Sequence, residues 1–195
     1  HTQNSETEAK AYQLYVDFGN THPDLKYVYM GNEEGGYIRG LELAYTTTFE
    51  NLPGIFSGLG INANYSYTDS KLTLDGGNTF PSLNVPVPGL SKNVWSATLF
   101  WEIDNINTHL NARYRDEFMF AGFNPDAGGA NFREANEYLV VDWQVSYDFG
   151  NGLNAVLQVN NLTNEESIAD YRVNLTTAAH LEFGRQLYFG ANYSF

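Results

Sequence analysis

The feature that most limits the possible folds of this chain is a strict two-residue alternation of apolar and polar side chains. It is clearest in the segment Gly58–Asp69, which reads GLGINANYSYTD. One set of alternate positions holds Leu59, Ile61, Ala63, Tyr65 and Tyr67, and the other holds Gly60, Asn62, Asn64, Ser66 and Thr68. An α-helix would mix these two sets, whereas a β-strand places them on opposite faces. The segment is therefore predicted to be a strand.

The same alternation recurs along the chain and predicts an all-β fold. Strong copies lie at Tyr138–Phe149 and at the C-terminus, from Leu187 to Phe195. Weaker copies lie at Tyr12–Phe18, Tyr37–Phe49, Val94–Ile103, Asn107–Phe118 and Gly152–Asn161. We therefore predict about eight strands, and no stretch has the periodicity of a helix.

The connections between these strands alternate in length. Short connections are predicted at Asn51–Ser57, Glu102–Asn107 and Phe149–Gly152. Long polar loops, rich in Gly, Asn, Pro and Asp, are predicted at about 20–36, 72–91, 120–136 and 162–183. A soluble antiparallel sandwich is compatible with such spacing. Regular alternation is more typical of a transmembrane β-barrel, which has short periplasmic turns and long outer loops.

Composition excludes several other classes of protein. Among 195 residues there are 10 Lys and Arg against 23 Asp and Glu, and the formal charge of −13 argues against binding nucleic acid. The absence of cysteine excludes disulfide scaffolds and thiolate chemistry. Hydrophobic residues make up 43% of the chain, yet the mean hydropathy is −0.38 and no apolar run approaches the ~18 residues of a spanning helix.

Aromatic residues on the predicted apolar faces form two groups when the C-terminus is placed on the periplasmic side, as in bacterial barrels. The group at the outer ends of the strands is Tyr37, Tyr67, Trp95, Tyr114 and Phe118. The group at the inner ends is Phe49, Trp101, Tyr147, Phe149, Tyr193 and Phe195. Such belts mark the two edges of an outer-membrane barrel. A soluble sandwich does not predict them.

Five segments, in this order, resemble the C-terminal part of a TonB-dependent outer-membrane receptor. They are GGYIRGLELAYTTTFENLPGIFSGLGINANYSYTDSKL (35–72), PGLSKNVWSATLFWE (88–102), NARYRDEF (111–118), NNLTNE (160–165) and FGRQLYFGANYSF (183–195). The resemblance is to the large proteobacterial branch of that family, which includes carbohydrate and siderophore receptors.

The resemblance implies an antiparallel transmembrane barrel of 22 strands closed around a plug, of which 1–195 would supply about eight C-terminal strands as part of one barrel domain. It implies uptake of a carbohydrate or a ferric siderophore at the outer membrane of a Gram-negative bacterium, without enzymatic chemistry or a cofactor. The implied partners are the small-molecule ligand, the plug and remaining strands, TonB through an N-terminal part, the barrel-assembly machinery, and membrane lipid with lipopolysaccharide. The alternatives are a complete eight-stranded barrel with a passive or structural role, or an outer-membrane enzyme.

Two sets of residues are candidates for specific roles. Aromatic rings can stack on sugars or aromatic chelates and arginine can bind carboxylates, so ligand contacts are predicted in the outer loops. These candidates are Phe120, Phe123, Phe132, Arg133, Tyr171 and Arg172, with packing of the loops as the alternative for the phenylalanines. Phe189, Tyr193 and Phe195 resemble the C-terminal signal that the barrel-assembly machinery recognises.

Further hypotheses concern the remaining polar residues. Arg113 and Arg115 are predicted to pair with Asp142, Asp148 or acids of a plug, and Arg39 and Arg185 to lie at the outer ends on the lipid side. The spacing of His1, His22, His109 and His180 fits no metal motif, and Glu182 is the one acid near His180 in sequence. Gly58–Ala63 matches a dinucleotide fingerprint, but a predicted strand runs through it, so no nucleotide site is expected.

Overall fold

A computed structural model describes residues 35–74, 82–120, 132–172 and 176–195. Within these ranges the chain forms one short 3-10 turn, Gly54–Phe56, and twelve strands. The strands are β1 (Gly36–Thr48), β2 (Leu59–Leu74), β3 (Leu83–Val85), β4 (Asn93–Ile103), β5 (Ile106–Arg115), β6 (Phe118–Met119), β7 (Arg133–Ala135), β8 (Tyr138–Asp148), β9 (Leu153–Asn160), β10 (Ser167–Tyr171), β11 (Thr177–Leu181) and β12 (Gln186–Tyr193). No helix in the described ranges is long and apolar enough to cross a membrane.

Seven long strands form one antiparallel up-and-down sheet in the order β1-β2-β4-β5-β8-β9-β12, and β3 pairs with the outer end of β2. These seven strands confirm the predicted ones from Tyr37 to the C-terminus, with small differences at the ends. The predicted strand Tyr12–Phe18 lies outside the described residues. Among the described residues the sheet is open, since β1 and β12 are its edges and do not pair with each other.

The cross-strand register separates the apolar and polar residues into two continuous faces. One row across the sheet consists of Tyr65, Trp95, Tyr114 and Leu139, and a deeper row consists of Ile61, Leu99, Leu110, Trp143, Val159 and Leu187. Side chains on this apolar face are exposed or half-buried, with Leu187 at 70% and Phe189 at 78% of full exposure. A soluble sandwich would cover such a face with a second sheet. The apolar face instead fits the lipid side of a barrel wall, as predicted.

Backbone geometry explains the short connections at the inner end. The β4–β5 turn places Asp104 at a φ of 49°, and the β8–β9 turn places Gly150 and Gly152 at 73° and 85°. Asn, Asp and Gly adopt this left-handed region most readily, which is why they occupy such turns. Both tight turns were predicted from the sequence.

The long outer connections contain regular structure that the sequence analysis did not predict. Strands β6, β7, β10 and β11 form a second sheet in the order β11-β10-β7-β6, and β3 lies within the predicted loop 72–91. Val85, Met119 and Phe132 form a small buried core here, with Leu72, Leu74 and Leu83 packed against it. The predicted loop 20–36 lies almost wholly outside the described residues. Within the predicted loops 120–136 and 162–183, the described residues form β7, β10 and β11, and β7 pairs with β10.

Candidate functional site: the polar face and its outer rim

The polar face of the large sheet carries rows of amide, hydroxyl and carboxyl side chains. A middle row consists of Thr46, Asn62, Thr98, Asn111 and Asp142. The Asn62 amide donates to the Thr46 hydroxyl at 3.0 Å, and the Asn111 amide donates to the Thr98 hydroxyl at 2.7 Å. Because these polar groups satisfy one another between strands, the face forms a polar wall of fixed side chains.

Asp142 links the middle of this wall to its outer half. One carboxylate oxygen lies 2.7 Å from the guanidinium of Arg113, and the other accepts the backbone N–H of Asn161 at 2.9 Å. This contact confirms the predicted pairing of Arg113 with Asp142. Asp142 lines two grooves on the polar face, of about 640 and 520 Å³, and the lower one also contains His109 and Gln144.

Two arginines and two phenylalanines form a continuous cluster at the outer rim, which we call the arginine–phenylalanine cluster. The Arg115 guanidinium lies 3.8 Å from the centre of the Phe118 ring, and the Arg133 guanidinium lies 4.8 Å from the centre of the Phe120 ring. The two rings are 5.1 Å apart. Arg115 also donates to the Ser91 hydroxyl at 2.7 Å, and among the described residues it forms no ion pair with Asp142 or Asp148; pairing with an acid of a plug stays a prediction. The contacts are typical of cation–π interactions.

Phe118 is placed differently from the prediction. The predicted strand Asn107–Phe118 ends at Arg115 in the structure, and Phe118 begins β6 of the second sheet. Its ring packs under Arg115, which lies on the polar face by its register with Val94. The chain leaves the large sheet at Asp116, so the two-residue alternation does not continue to Phe118.

A belt of polar contacts lies at the outer end of the apolar face. Arg39 pairs with Asp69 on the neighbouring strand at 2.7 Å. The Tyr114 hydroxyl lies 2.7 Å from Asp116, and the backbone N–H of Asn93 donates to the same carboxylate at 2.9 Å. Burial acts to raise the pKa of the Asp116 carboxyl, but the hydrogen bonds from Tyr114 and Asn93 outweigh it and lower the pKa below its usual value. The carboxylate therefore remains charged at the outer end of the sheet.

The two described histidines occupy different environments. His109 lies on the polar face opposite Phe100 and Gln144, as predicted. The His180 Nε2 atom lies 2.8 Å from a carboxylate oxygen of Glu166 and 3.7 Å from one of Glu182. Glu182 was the partner suggested by the sequence, whereas Glu166 was not singled out as one. His1 and His22 lie outside the described residues.

The segment Gly58–Ala63 is not a nucleotide-binding turn. Strand β2 starts at Leu59 and runs through the segment without a helix after it, as expected. A side chain at Gly60 would overlap the ring of Phe100 on the adjacent strand. This glycine therefore provides space for an aromatic side chain on the polar face.

The geometry is that of one sector of a barrel wall, and comparison with known proteins decides the family. The profile described as TonB-dependent receptor-like, β-barrel, matches residues 6–162. The chain belongs to this family. The matched residues include β1 to β9 of the described structure, so the resemblance predicted from sequence motifs is confirmed.

A solved structure adds a comparison of the fold. The chain is similar to the siderophore receptor PiuA from Acinetobacter baumannii, with a TM-score of 0.54 and 15% sequence identity. The similarity covers 81% of this chain and 22% of that receptor, so the chain spans about a fifth of the receptor's length. A comparison with curated proteins found no match.

Several residues of this TonB-dependent receptor barrel were predicted to bind a ligand. Those that the structure describes lie in different environments. Phe120 and Arg133 contact each other in the arginine–phenylalanine cluster. Arg172 pairs with Glu134 at 3.1 Å, and Tyr171 lies in β10 opposite Arg133.

The structure describes one of the other two predicted ligand-binding residues, and that residue is buried. Phe132 is 2% exposed, and its ring belongs to the small core, in agreement with the alternative that the phenylalanine packs its own loop. Phe123 lies outside the described residues. A role in ligand binding stays a prediction for the whole set.

The predicted assembly signal lies on the apolar face at the C-terminal edge of the sheet. Phe189 and Tyr193 are 78% and 60% exposed, Phe195 is fully exposed, and Phe189 pairs across the strand with Leu157. Within the described part of the chain these three rings are accessible. The assembly role stays a prediction. Arg185 donates to the backbone oxygen of Leu162 at 2.8 Å, so part of its guanidinium is satisfied within the protein.

Proposed function

We propose that this chain forms a sector of the wall of a TonB-dependent receptor in the outer membrane of a Gram-negative bacterium, and that the receptor takes up a ligand from outside the cell. The observation that carries the proposal is the pair of continuous faces across seven strands, one apolar and one polar. Lipid would cover the first face, and the plug and solvent would cover the second.

Because the sheet is open, further strands would be needed to close a barrel. Strands β1 and β12 each pair with one neighbour among the described residues, and unpaired edges are not stable in a bilayer. We propose that other strands of the same receptor close the barrel on both edges, and that TonB acts through a part of the receptor outside this chain. Binding and conformational change account for such a role without covalent chemistry, and we propose that the chain is not an enzyme.

The ligand that we favour is an anionic ferric siderophore rather than a neutral carbohydrate. Among the described residues, the guanidinium groups of Arg115 and Arg133 form no ion pair, although the chain contains 23 acidic residues. Their aromatic contacts with Phe118 and Phe120 present charge together with flat apolar surface at the outer rim. This combination suits a carboxylate or catecholate chelate. The similar fold of a siderophore receptor is consistent with this choice.

The test uses the full-length receptor. Uptake of radioactive ferric siderophores and of labelled maltodextrins is measured in cells with and without TonB. We expect TonB-dependent uptake of a ferric siderophore. The substitution Arg133→Gln should weaken its binding about tenfold or more, since a charge-assisted hydrogen bond contributes roughly 1.5–3 kcal/mol. Arg185→Gln, which changes an arginine beside Leu162, is the matched control and should leave binding unchanged.

The outcomes separate the two parts of the proposal. Uptake that is equal with and without TonB would overturn the receptor function. TonB-dependent uptake of a neutral sugar, unchanged by Arg133→Gln, would keep the receptor function and overturn the anionic ligand.

A further inference from the structure

The hairpin formed by β10 and β11 brings one histidine and two glutamates together at the edge of the outer sheet. His180 lies in β11 and pairs with Ile168 in β10, and Ser167 pairs with Leu181. Glu166 directly precedes β10 and Glu182 directly follows β11, so the two glutamates flank the open end of the hairpin. The side chain of His180 lies between these two positions in reach of both carboxylates.

The spacing of the ligand atoms is that of a compact coordination site. One atom from each residue, His180 Nε2 and a carboxylate oxygen from each of the two glutamates, lies within 4.8 Å of the others. The distances from Nε2 to the carboxylates are 2.8 and 3.7 Å. Two ligand atoms around a tetrahedral Zn²⁺ ion are about 3.3 Å apart, because its bonds to nitrogen and oxygen are about 2.0–2.1 Å long. The observed distances bracket this value, so small rotations of the side chains would suffice.

The charges at this point also favour a positive group. Two carboxylates with oxygen atoms within 4.8 Å of each other repel. In the described part of the chain, both Glu166 and Glu182 have the same ion-pair partner, His180, and the imidazole is positively charged only when protonated. A divalent cation would neutralise both carboxylates at once.

We propose that Glu166, His180 and Glu182 bind a divalent transition-metal ion of the Zn²⁺ type at the outer surface of the receptor. One nitrogen and two oxygen ligands suit such an ion, whereas Ca²⁺ and Mg²⁺ prefer oxygen alone. The side chains of Glu166, His180 and Glu182 are 40%, 44% and 71% exposed, so remaining coordination positions face solvent. The bound ion would join the two ends of the hairpin and would offer an open position to water or to a group on an incoming ligand.

The experiment measures metal binding by the intact receptor, purified in detergent and freed of metal with a chelator. Calorimetric titration with Zn²⁺ should give one ion per receptor at this site. Glu166→Gln, His180→Gln and Glu182→Gln should each lower the affinity about tenfold or more. His109→Gln and Glu117→Gln are matched controls, since they change a histidine and a glutamate outside the cluster, and they should change the affinity less than twofold. An unchanged gel-mobility shift on heating verifies that each variant is folded.

Three outcomes would overturn the proposal: no Zn²⁺ bound by the unaltered receptor, Zn²⁺ affinity unchanged by His180→Gln, or equal affinity for Ca²⁺ and Zn²⁺. The measurement does not depend on uptake of any ligand. Failure of the proposed receptor function would therefore leave this test intact, and failure of metal binding would leave the receptor function intact.

Discussion

A single arginine placed on either face of the sheet should distinguish the lipid side from the lumen side. Ala97 lies on the apolar face, in a row with Ala63 and Ala112. Gln144 lies on the polar face, opposite His109 and Gln158. In the proposed orientation, Ala97→Arg puts a guanidinium into the hydrocarbon region, whereas Gln144→Arg puts it into water or against a plug.

The expected cost of Ala97→Arg follows from its depth. A strand rises about 3.3 Å per residue and is tilted by about 40°, so each residue adds about 2.5 Å of height. Ala97 is therefore about 5 Å deeper than Trp95 in the outer aromatic belt and about 10 Å from Trp101 in the inner one. Arginine costs roughly 2–4 kcal/mol at the midplane and about 0–1 near the edges. We expect a loss of about 2 kcal/mol, or roughly 30-fold in the folding equilibrium constant.

The assay is unfolding of the full-length receptor in lipid vesicles by guanidinium, followed by tryptophan fluorescence and by gel mobility. Gln144→Arg should change the free energy of unfolding by no more than about 0.5 kcal/mol. Ala97→Leu adds volume without charge and separates the two effects. An equal loss for the two arginine variants, or a larger loss for Gln144→Arg, would refute the assignment of the faces.

Three further predictions concern other parts of the wall. Gly60→Val should destabilise the receptor, because the new side chain overlaps the Phe100 ring, and Phe100→Ala should restore part of the loss in the same unfolding assay. Asp142→Asn should cost at most about 1 kcal/mol, since the Arg113 side chain is 58% exposed and water screens the pair; a loss above about 2 kcal/mol would contradict this reasoning. Deletion of Phe195 should lower the amount of folded receptor in outer membranes, measured by immunoblot after heating, and normal assembly would refute its role as a signal.

The strands of the wall could be predicted because lipid requires an apolar residue at every second position. The predicted Tyr138–Phe149 and the observed Tyr138–Asp148 differ by one residue. The same two-residue alternation placed Arg113 and Asp142 on one face of neighbouring strands, which is why their contact could be predicted. Both successes depend on runs of at least eight alternating residues.

The outer sheet could not be predicted, because its strands are short and their partners are distant in sequence. Strand β6 has two residues, and β7 pairs with β10 through residues more than 30 positions apart. An alternation of apolar and polar residues over two to five positions is too short to predict a strand. The approach of Glu166 to His180 depends on the register of the β10–β11 hairpin, which shifts between Ala169 and Asp170. No rule of spacing in the sequence indicates such a shift.

The two parts of the structure are therefore constrained by different requirements. The wall depends on an alternation of small or polar residues with apolar ones more than on particular residues, which is consistent with a fold similar to that of PiuA at 15% identity and a TM-score of 0.54. The outer rim does not follow such an alternation of residues. Neighbours such as Phe132 and Arg133 differ there completely, since the first is 2% exposed and the second is on the surface against Phe120. Long-range pairing decides which aromatic residues are exposed at the outer rim, and in the proposed receptor differences in ligand specificity are expected to arise there rather than in the wall.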